Sequence, residues 1–186
     1  GQQVSLAGSD SVQDNFALSH RISLGTMLRL VIFWTLAIEA VGAALLFLAE
    51  SERLPPMQAL WVSVFHAVSA FCNAGFGLRP DNLMADRNNA AIILPISLLI
   101  ILGGLGFAAL EELTRWVMRR WRRQRVPLSL HTKVVLTMTG MLLLVGMIGF
   151  ALLERDNLIR GMRLSEILLT SWFASVTPRT AGFSTV

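Results

Sequence analysis

Apolar and polar residues follow one another along this chain in long blocks. Gly1 to Leu24 is polar and aperiodic and reads as a connector. Met27 to Ala49 is an apolar run of 23 residues, long enough as a helix to cross a hydrocarbon core of about 30 Å. It carries Arg29 near one end and Glu39 near its middle, and Glu50, Ser51, Glu52 and Arg53 close it. Pro55 and Pro56 open a shorter apolar segment, Met57 to Phe71, which as a helix reaches only about 22 Å. It runs into Cys72-Asn73-Ala74-Gly75-Phe76-Gly77, which is poor helix sequence. A short helix feeding a Gly turn between long spans predicts a re-entrant loop, because irregular backbone persists at membrane depth only where protein or water surrounds it. Arg79 to Asn89 is polar. Ala90 to Leu110 predicts a second span of 21 uncharged residues, with Pro95 inside it and Gly103-Gly104-Leu105-Gly106 near its end. Such small residues let membrane helices approach closely. Glu111 to Arg125 is amphipathic and basic, Pro127 breaks it, and Val134 to Leu153 predicts the third span.

Arg163 to Val176 then repeats the earlier short helix, with Ser165 as its candidate cap, and leads into Thr177-Pro178-Arg179-Thr180-Ala181-Gly182-Phe183. The two Ala-Gly-Phe triplets lie 107 residues apart, with their glycines at 75 and 182. The same shift moves Met27–Ala49 onto Val134–Asp156, close to the third span. The chain therefore predicts an internal repeat of span, short helix, Gly turn and span, with the second copy stopping at its Gly turn. The expected organisation is a connector over 1–24, a complete unit of span, re-entrant short helix and span over 25–126, and a truncated unit over 127–186. The expected fold class is an all-α polytopic membrane protein built from such repeats. The shift places Gly146 opposite Glu39, so the acid is not part of the repeat and Gly146 reads as a glycine of a plain span. A start at Gly1 and an end at Val186 in a Gly/Ser/Thr context read as a piece of something longer.

Composition agrees with a membrane chain. Of 186 residues, 54% are hydrophobic and 15% charged, against roughly 25% charged in a soluble domain, and the mean hydropathy is +0.59. One Cys excludes an internal disulfide framework. The net charge of +4 is unevenly placed. Six Arg lie between Arg115 and Arg125, and the only Lys is Lys133. Such a run can bind nucleic acid or anionic lipid, but between apolar spans it reads as a cytoplasmic loop of the positive-inside kind. Both Gly turns then face the outer side, residues 1–24 the cytoplasm, and no nucleic-acid partner is expected.

Cation filters are built from backbone carbonyls that replace an ion's hydration shell. Gly turns them cheaply because it reaches positive φ, and a short helix ending there aims its partially negative end at the ion. Neither turn contains Asp or Glu, so cation binding would rest on carbonyl dipoles. Glu39 reads as a buried acid behind the pore, and Arg179 as pointing away from the ion to tie the turn to a carboxylate or backbone carbonyls. Cys72 reads as a packing residue. His66 has no second ligand at metal spacing, and His20 and His131 lie outside the spans, so neither a catalytic group nor a side-chain metal site is expected.

Ser69-Ala70-Phe71-Cys72-Asn73-Ala74-Gly75-Phe76 resembles the second filter of the Trk/Ktr/HKT superfamily of potassium transporters, and Val176-Thr177-Pro178-Arg179-Thr180-Ala181-Gly182-Phe183 the third filter of its Ktr-type members. Gly103-Gly104-Leu105-Gly106 and Ile38-Glu39-Ala40-Val41-Gly42 resemble helix segments of the same family. The resemblance implies helix–pore loop–helix repeats of the potassium-channel-like type, four such units around one pore, of which this chain carries the second over 25–126 and part of the third over 127–186. It implies potassium-binding backbone at Cys72, Asn73, Ala74, Gly75 and Phe76 and at Arg179, Thr180, Ala181, Gly182 and Phe183. It further implies potassium as the substrate, no cofactor, sodium as a candidate second ion, membrane lipid as surroundings, a homodimer, a cytosolic nucleotide-binding regulatory ring as partner, and the plasma or inner membrane as location. The competing reading is a membrane scaffold or assembly protein with non-conducting re-entrant loops. A membrane enzyme would cluster acids or His at one face, and a tetrameric potassium channel would show Thr-Val-Gly-Tyr-Gly, whereas this chain has no Tyr.

Overall fold

The computed structural model describes residues 24–124, 127–179 and 181–185. The expected connector up to residue 23, Arg125, and the candidate filter residue Thr180 lie outside the described residues. The chain divides into two units, Gly1–Leu36 and Ala37–Val186. Regular structure among the described residues consists of α1 (Leu24–Glu50), α2 (Pro56–Phe71), a 3-10 turn (Met84–Asp86), α3 (Ala90–Gly104), α4 (Phe107–Trp121), α5 (Leu130–Leu153) and α6 (Leu164–Val176).

Among the described residues, two helices are long and apolar enough to cross a membrane, at Leu28–Glu50 and Leu130–Leu153. Their surfaces expose Val41, Leu45 and Leu48 on α1 and Leu144, Val145, Ile148 and Leu152 on α5. Patches of this size are foreign to a soluble monomer and match hydrocarbon surroundings. α5 begins one turn earlier than its apolar run, because the Ser129 hydroxyl accepts the Thr132 N–H at 3.3 Å and caps it. The Glu112 carboxylate of α4 accepts from the Ser129 N–H and from the hydroxyls of Ser129 and Thr132. A carboxylate at a helix N-terminus also opposes the positive end of the helix dipole.

The second expected span is not one helix. α3 stops at Gly104, and α4 leaves it at a bend of 110°. The cause is local: glycine at 103, 104 and 106 weakens the helix, and Gly106 adopts φ 82, a conformation cheap only for glycine. The basic amphipathic helix accordingly begins at Phe107, before Glu111. Ser165 is likewise not the cap of the second short helix. α6 starts at Leu164, where the Glu166 carboxylate accepts the Arg163 N–H at 3.0 Å.

α3 forms the centre of the second unit. Ile92, Ile93, Ile96 and Ile100 are buried on it, and it packs against both α2 and α6. α1 reaches it at Gly42, where an added Cβ would lie 2.6 Å from Leu99 Cδ1. α6 lies on α5: the Ser175 hydroxyl donates to the Leu143 carbonyl at 2.7 Å. Gly146 of α5 is therefore no plain span glycine, since a Cβ there would fall 2.5 Å from Ser175 Oγ. The polar stretch after the first Gly turn is pinned by charge. Asp86, 3% exposed, pairs with Arg53 at 2.9 Å and Arg79 at 2.9 Å. Two guanidinium partners make burial of this carboxylate tolerable.

Candidate functional site

Both short helices deliver their C-terminal ends to a glycine turn. α2 unwinds through Cys72, whose N–H donates to the Val68 carbonyl at 2.9 Å, and Ala74, whose N–H donates to the Ser69 carbonyl at 2.8 Å. Asn73 takes φ 53 and Gly75 φ 71. Asn is among the few side chains that enter the left-handed region without large cost. In the second turn, Ala181 N–H donates to the Thr177 carbonyl at 3.1 Å, and Gly182 takes φ 73. The two glycines thus share a positive φ, 107 residues apart, four residues beyond the end of α2 and six beyond that of α6.

The turns are in contact. A Cβ on Gly75 would land on the carbonyl oxygen of Ala181 and 2.6 Å from Gly182 Cα. A Cβ on Gly182 would lie 3.4 Å from Gly75 Cα and 3.7 Å from the Ala74 oxygen. The carbonyls of Ala74 and Ala181 therefore lie between the two turns, each beside the other's glycine. The carbonyls after the glycines are held from behind. Ser69 hydroxyl donates to the Phe76 carbonyl at 2.9 Å, and Thr177 hydroxyl donates to that of Phe183. The Gly75 carbonyl accepts from Asn82 Nδ2 at 3.1 Å. Ala181 and Phe183 are buried, while Phe76 is 68% exposed.

The neighbouring polar groups serve the walls of this site. Arg179 Nη2 donates to the Thr139 hydroxyl of α5 at 3.2 Å, so a hydroxyl joins in holding a guanidinium expected on carboxylate or carbonyl oxygens. Glu39, 9% exposed, faces the end of α2, where the Cys72 thiol approaches Oε1 at 3.9 Å. His66 Nδ1–H donates to the Val62 carbonyl at 3.0 Å, and its ring lies 6.4 Å from that of Phe183 in the other turn. α3 closes on the first turn at Gly103, where a Cβ would fall on the Phe71 carbonyl oxygen and 3.0 Å from Asn73 Nδ2. Asn82, which sequence reasoning passed over, bonds to both turns. Its signal was only an Asn in a polar loop seven residues after Gly75.

The model of the TrkH family, described as cation transport protein, matches residues 2–186. The potassium/sodium uptake protein NtpJ of Enterococcus hirae is 38% identical over 158 residues, covering 84% of this chain and 34% of that protein. The Ktr system potassium uptake protein B of Bacillus subtilis is 35% identical over 162 residues, 86% of this chain and 35% of that protein. Its counterpart in Vibrio alginolyticus is 31% identical over 188 aligned residues, 100% of this chain and 40% of that protein. The chain spans 34% to 40% of the length of these relatives. With a family match along almost its whole length, two apolar spans and paired glycine turns, the chain belongs to the TrkH family of cation transport proteins.

Proposed function

We propose that this chain supplies two of the selectivity-filter turns of a membrane protein that takes up potassium, with transport and not catalysis as its activity. The observation that carries the reading is the apposition of Gly75 and Gly182, at φ 71 and 73, with the Ala74 and Ala181 carbonyls between them. Carbonyls presented by fixed backbone select among cations through their number and placement. In this reading the backbone of Cys72, Asn73, Ala74, Gly75 and Phe76 and of Arg179, Thr180, Ala181, Gly182 and Phe183 borders the ion path. Potassium is the substrate, sodium is a second transported or coupling ion, and no cofactor takes part. The names of the three relatives support the ion class, potassium/sodium uptake for one and potassium uptake for two. A homodimer and a cytosolic nucleotide-binding ring are the partners this reading assigns. The test is potassium uptake by the complete transporter in cells stripped of their own uptake systems. Restored growth at low potassium is expected; protein present in the membrane without potassium uptake overturns the reading.

The same reading puts α4 along the inner membrane surface. The bend of 110° turns it away from α3, and Trp121 is 89% exposed beside Arg119, Arg120, Arg122 and Arg123. An aromatic at the headgroup level and a positive inner face are the usual marks of that location. Single cysteines at Arg119 and Arg160, with Cys72 replaced, report the orientation. Arg160→Cys is expected to react with an impermeant thiol reagent on intact cells, and Arg119→Cys only after permeabilisation. The opposite pattern reverses the topology and puts both Gly turns on the cytoplasmic side.

A further inference from the structure

Asn82 bonds to both glycine turns with one side chain. Its Nδ2 donates to the Gly75 carbonyl at 3.1 Å, and its Oδ1 accepts the Ser184 N–H at 3.5 Å. The next residue adds a backbone link, as Leu83 N–H donates to the Ser184 carbonyl at 3.1 Å. The orientation of the carboxamide follows from its partners, since a carbonyl requires a donor and an N–H an acceptor. Asn82 sits at φ 56, where Asn is tolerated better than most side chains. Gly77 leaves room for it: a Cβ there would lie 3.1 Å from Asn82 Cα and 3.3 Å from its Cγ. The loop that carries Asn82 is anchored just beyond it, by buried Leu83 in the core and by Asp86 on Arg53 and Arg79.

These contacts bridge segments 102 residues apart in the chain. The packing of α2 and α6 on α3 brings the two turns together, and the cross-turn hydrogen bonds of Asn82 and Leu83 tie them at that spacing. We propose that Asn82 is a positioning residue for ion selection, fixing both the direction of the Gly75 carbonyl and its distance from the second turn without touching the ion. The proposal rests on the reading of the two turns as filter. A carbonyl cage that can widen or rotate loses discrimination between ions of different radius.

Asn82→Gly in the complete transporter keeps the left-handed backbone and removes the carboxamide. It is expected to lower the preference for potassium over sodium uptake by about fivefold, the effect of losing roughly one net hydrogen bond. The KM for potassium should rise while membrane abundance stays at the wild-type level. A residue serving only stability would lower abundance and leave ion preference alone. Asn82→Asp keeps the acceptor for Ser184 and loses the donor to Gly75; it should shift preference in the same direction, and it decides the matter if the glycine variant does not accumulate. Gly75→Ser is measured alongside. Wild-type preference in both Asn82 variants with an altered Gly75→Ser overturns the positioning role and leaves the filter reading standing. Wild-type preference in all three overturns the filter reading and the proposal with it. Loss of both Asn82 variants from the membrane assigns Asn82 to folding and likewise overturns the proposal.

Discussion

Gly75→Ser is expected to cost the transporter most of its preference for potassium over sodium, and to do so more severely than Gly182→Ser. Both glycines hold the left-handed region, at φ 71 and 73, where a side chain costs about 1–2 kcal/mol. The surroundings separate them. At Gly75 the new Cβ falls on the Ala181 carbonyl oxygen and 2.6 Å from Gly182 Cα, so backbone of the second turn must move. At Gly182 the nearest atom is Gly75 Cα at 3.4 Å, an ordinary contact. If the Ala181 carbonyl lines the ion path as proposed, displacing it should reduce discrimination about tenfold or more for Gly75→Ser, since tenfold corresponds to about 1.4 kcal/mol. Gly182→Ser should lose only a few-fold. The control is Gly140→Ala in α5, where a Cβ meets nothing within 4 Å. Potassium and sodium uptake, normalised to protein in the membrane, gives the comparison. Equal effects at the two glycines would contradict the asymmetric contact, and unchanged selectivity in both would make them plain turn residues.

The second large effect is expected at Gly103. Gly103→Ala puts a Cβ on the Phe71 carbonyl oxygen, with the Phe71 carbonyl carbon at 2.9 Å. A helix backbone cannot yield as a side chain can, so α3 must withdraw from the end of α2. Overpacking of this kind costs about 1–3 kcal/mol, which outweighs the gain of at most about 1 kcal/mol in helix propensity. Gly104→Ala is the matched comparison, because its Cβ finds only Arg179 Nη2 at 3.9 Å. Thermal unfolding in detergent should drop for Gly103→Ala and stay near wild type for Gly104→Ala. Potassium uptake per transporter should fall with the former, since the displaced contact is the base of the first turn. Equal stability of the two variants would show that α3 does not press on this turn.

That each short helix ends in a turn with a positive-φ glycine was legible in the sequence, because glycine is the residue for that backbone region. The spans at α1 and α5 were legible for a similar reason: twenty or more apolar residues admit few folds. The break after α3 was visible only in part. Gly103-Gly104-Leu105-Gly106 marked close approach, but the same composition fits a continuous membrane helix, and only the φ of 82 at Gly106 turns it into a corner. Gly146 was misread because a glycine in a span looks alike whether it faces lipid or a neighbouring helix; here α6 brings Ser175 onto it. Asn82 could not be found by spacing at all. Its role arises from two hydrogen bonds to different turns, and no local pattern encodes a contact made across 102 residues.

In the proposed filter the Ala74 and Ala181 carbonyls, set between the two glycines, face a bound cation. Thallium substitutes for potassium and is located by its anomalous scattering, so crystals of the complete transporter grown in thallium reveal whether a cation sits there. An anomalous peak is expected within coordinating distance of the Ala74 and Ala181 carbonyl oxygens. An occupied thallium site elsewhere in the transporter, with none beside these two carbonyls, would contradict the proposed filter.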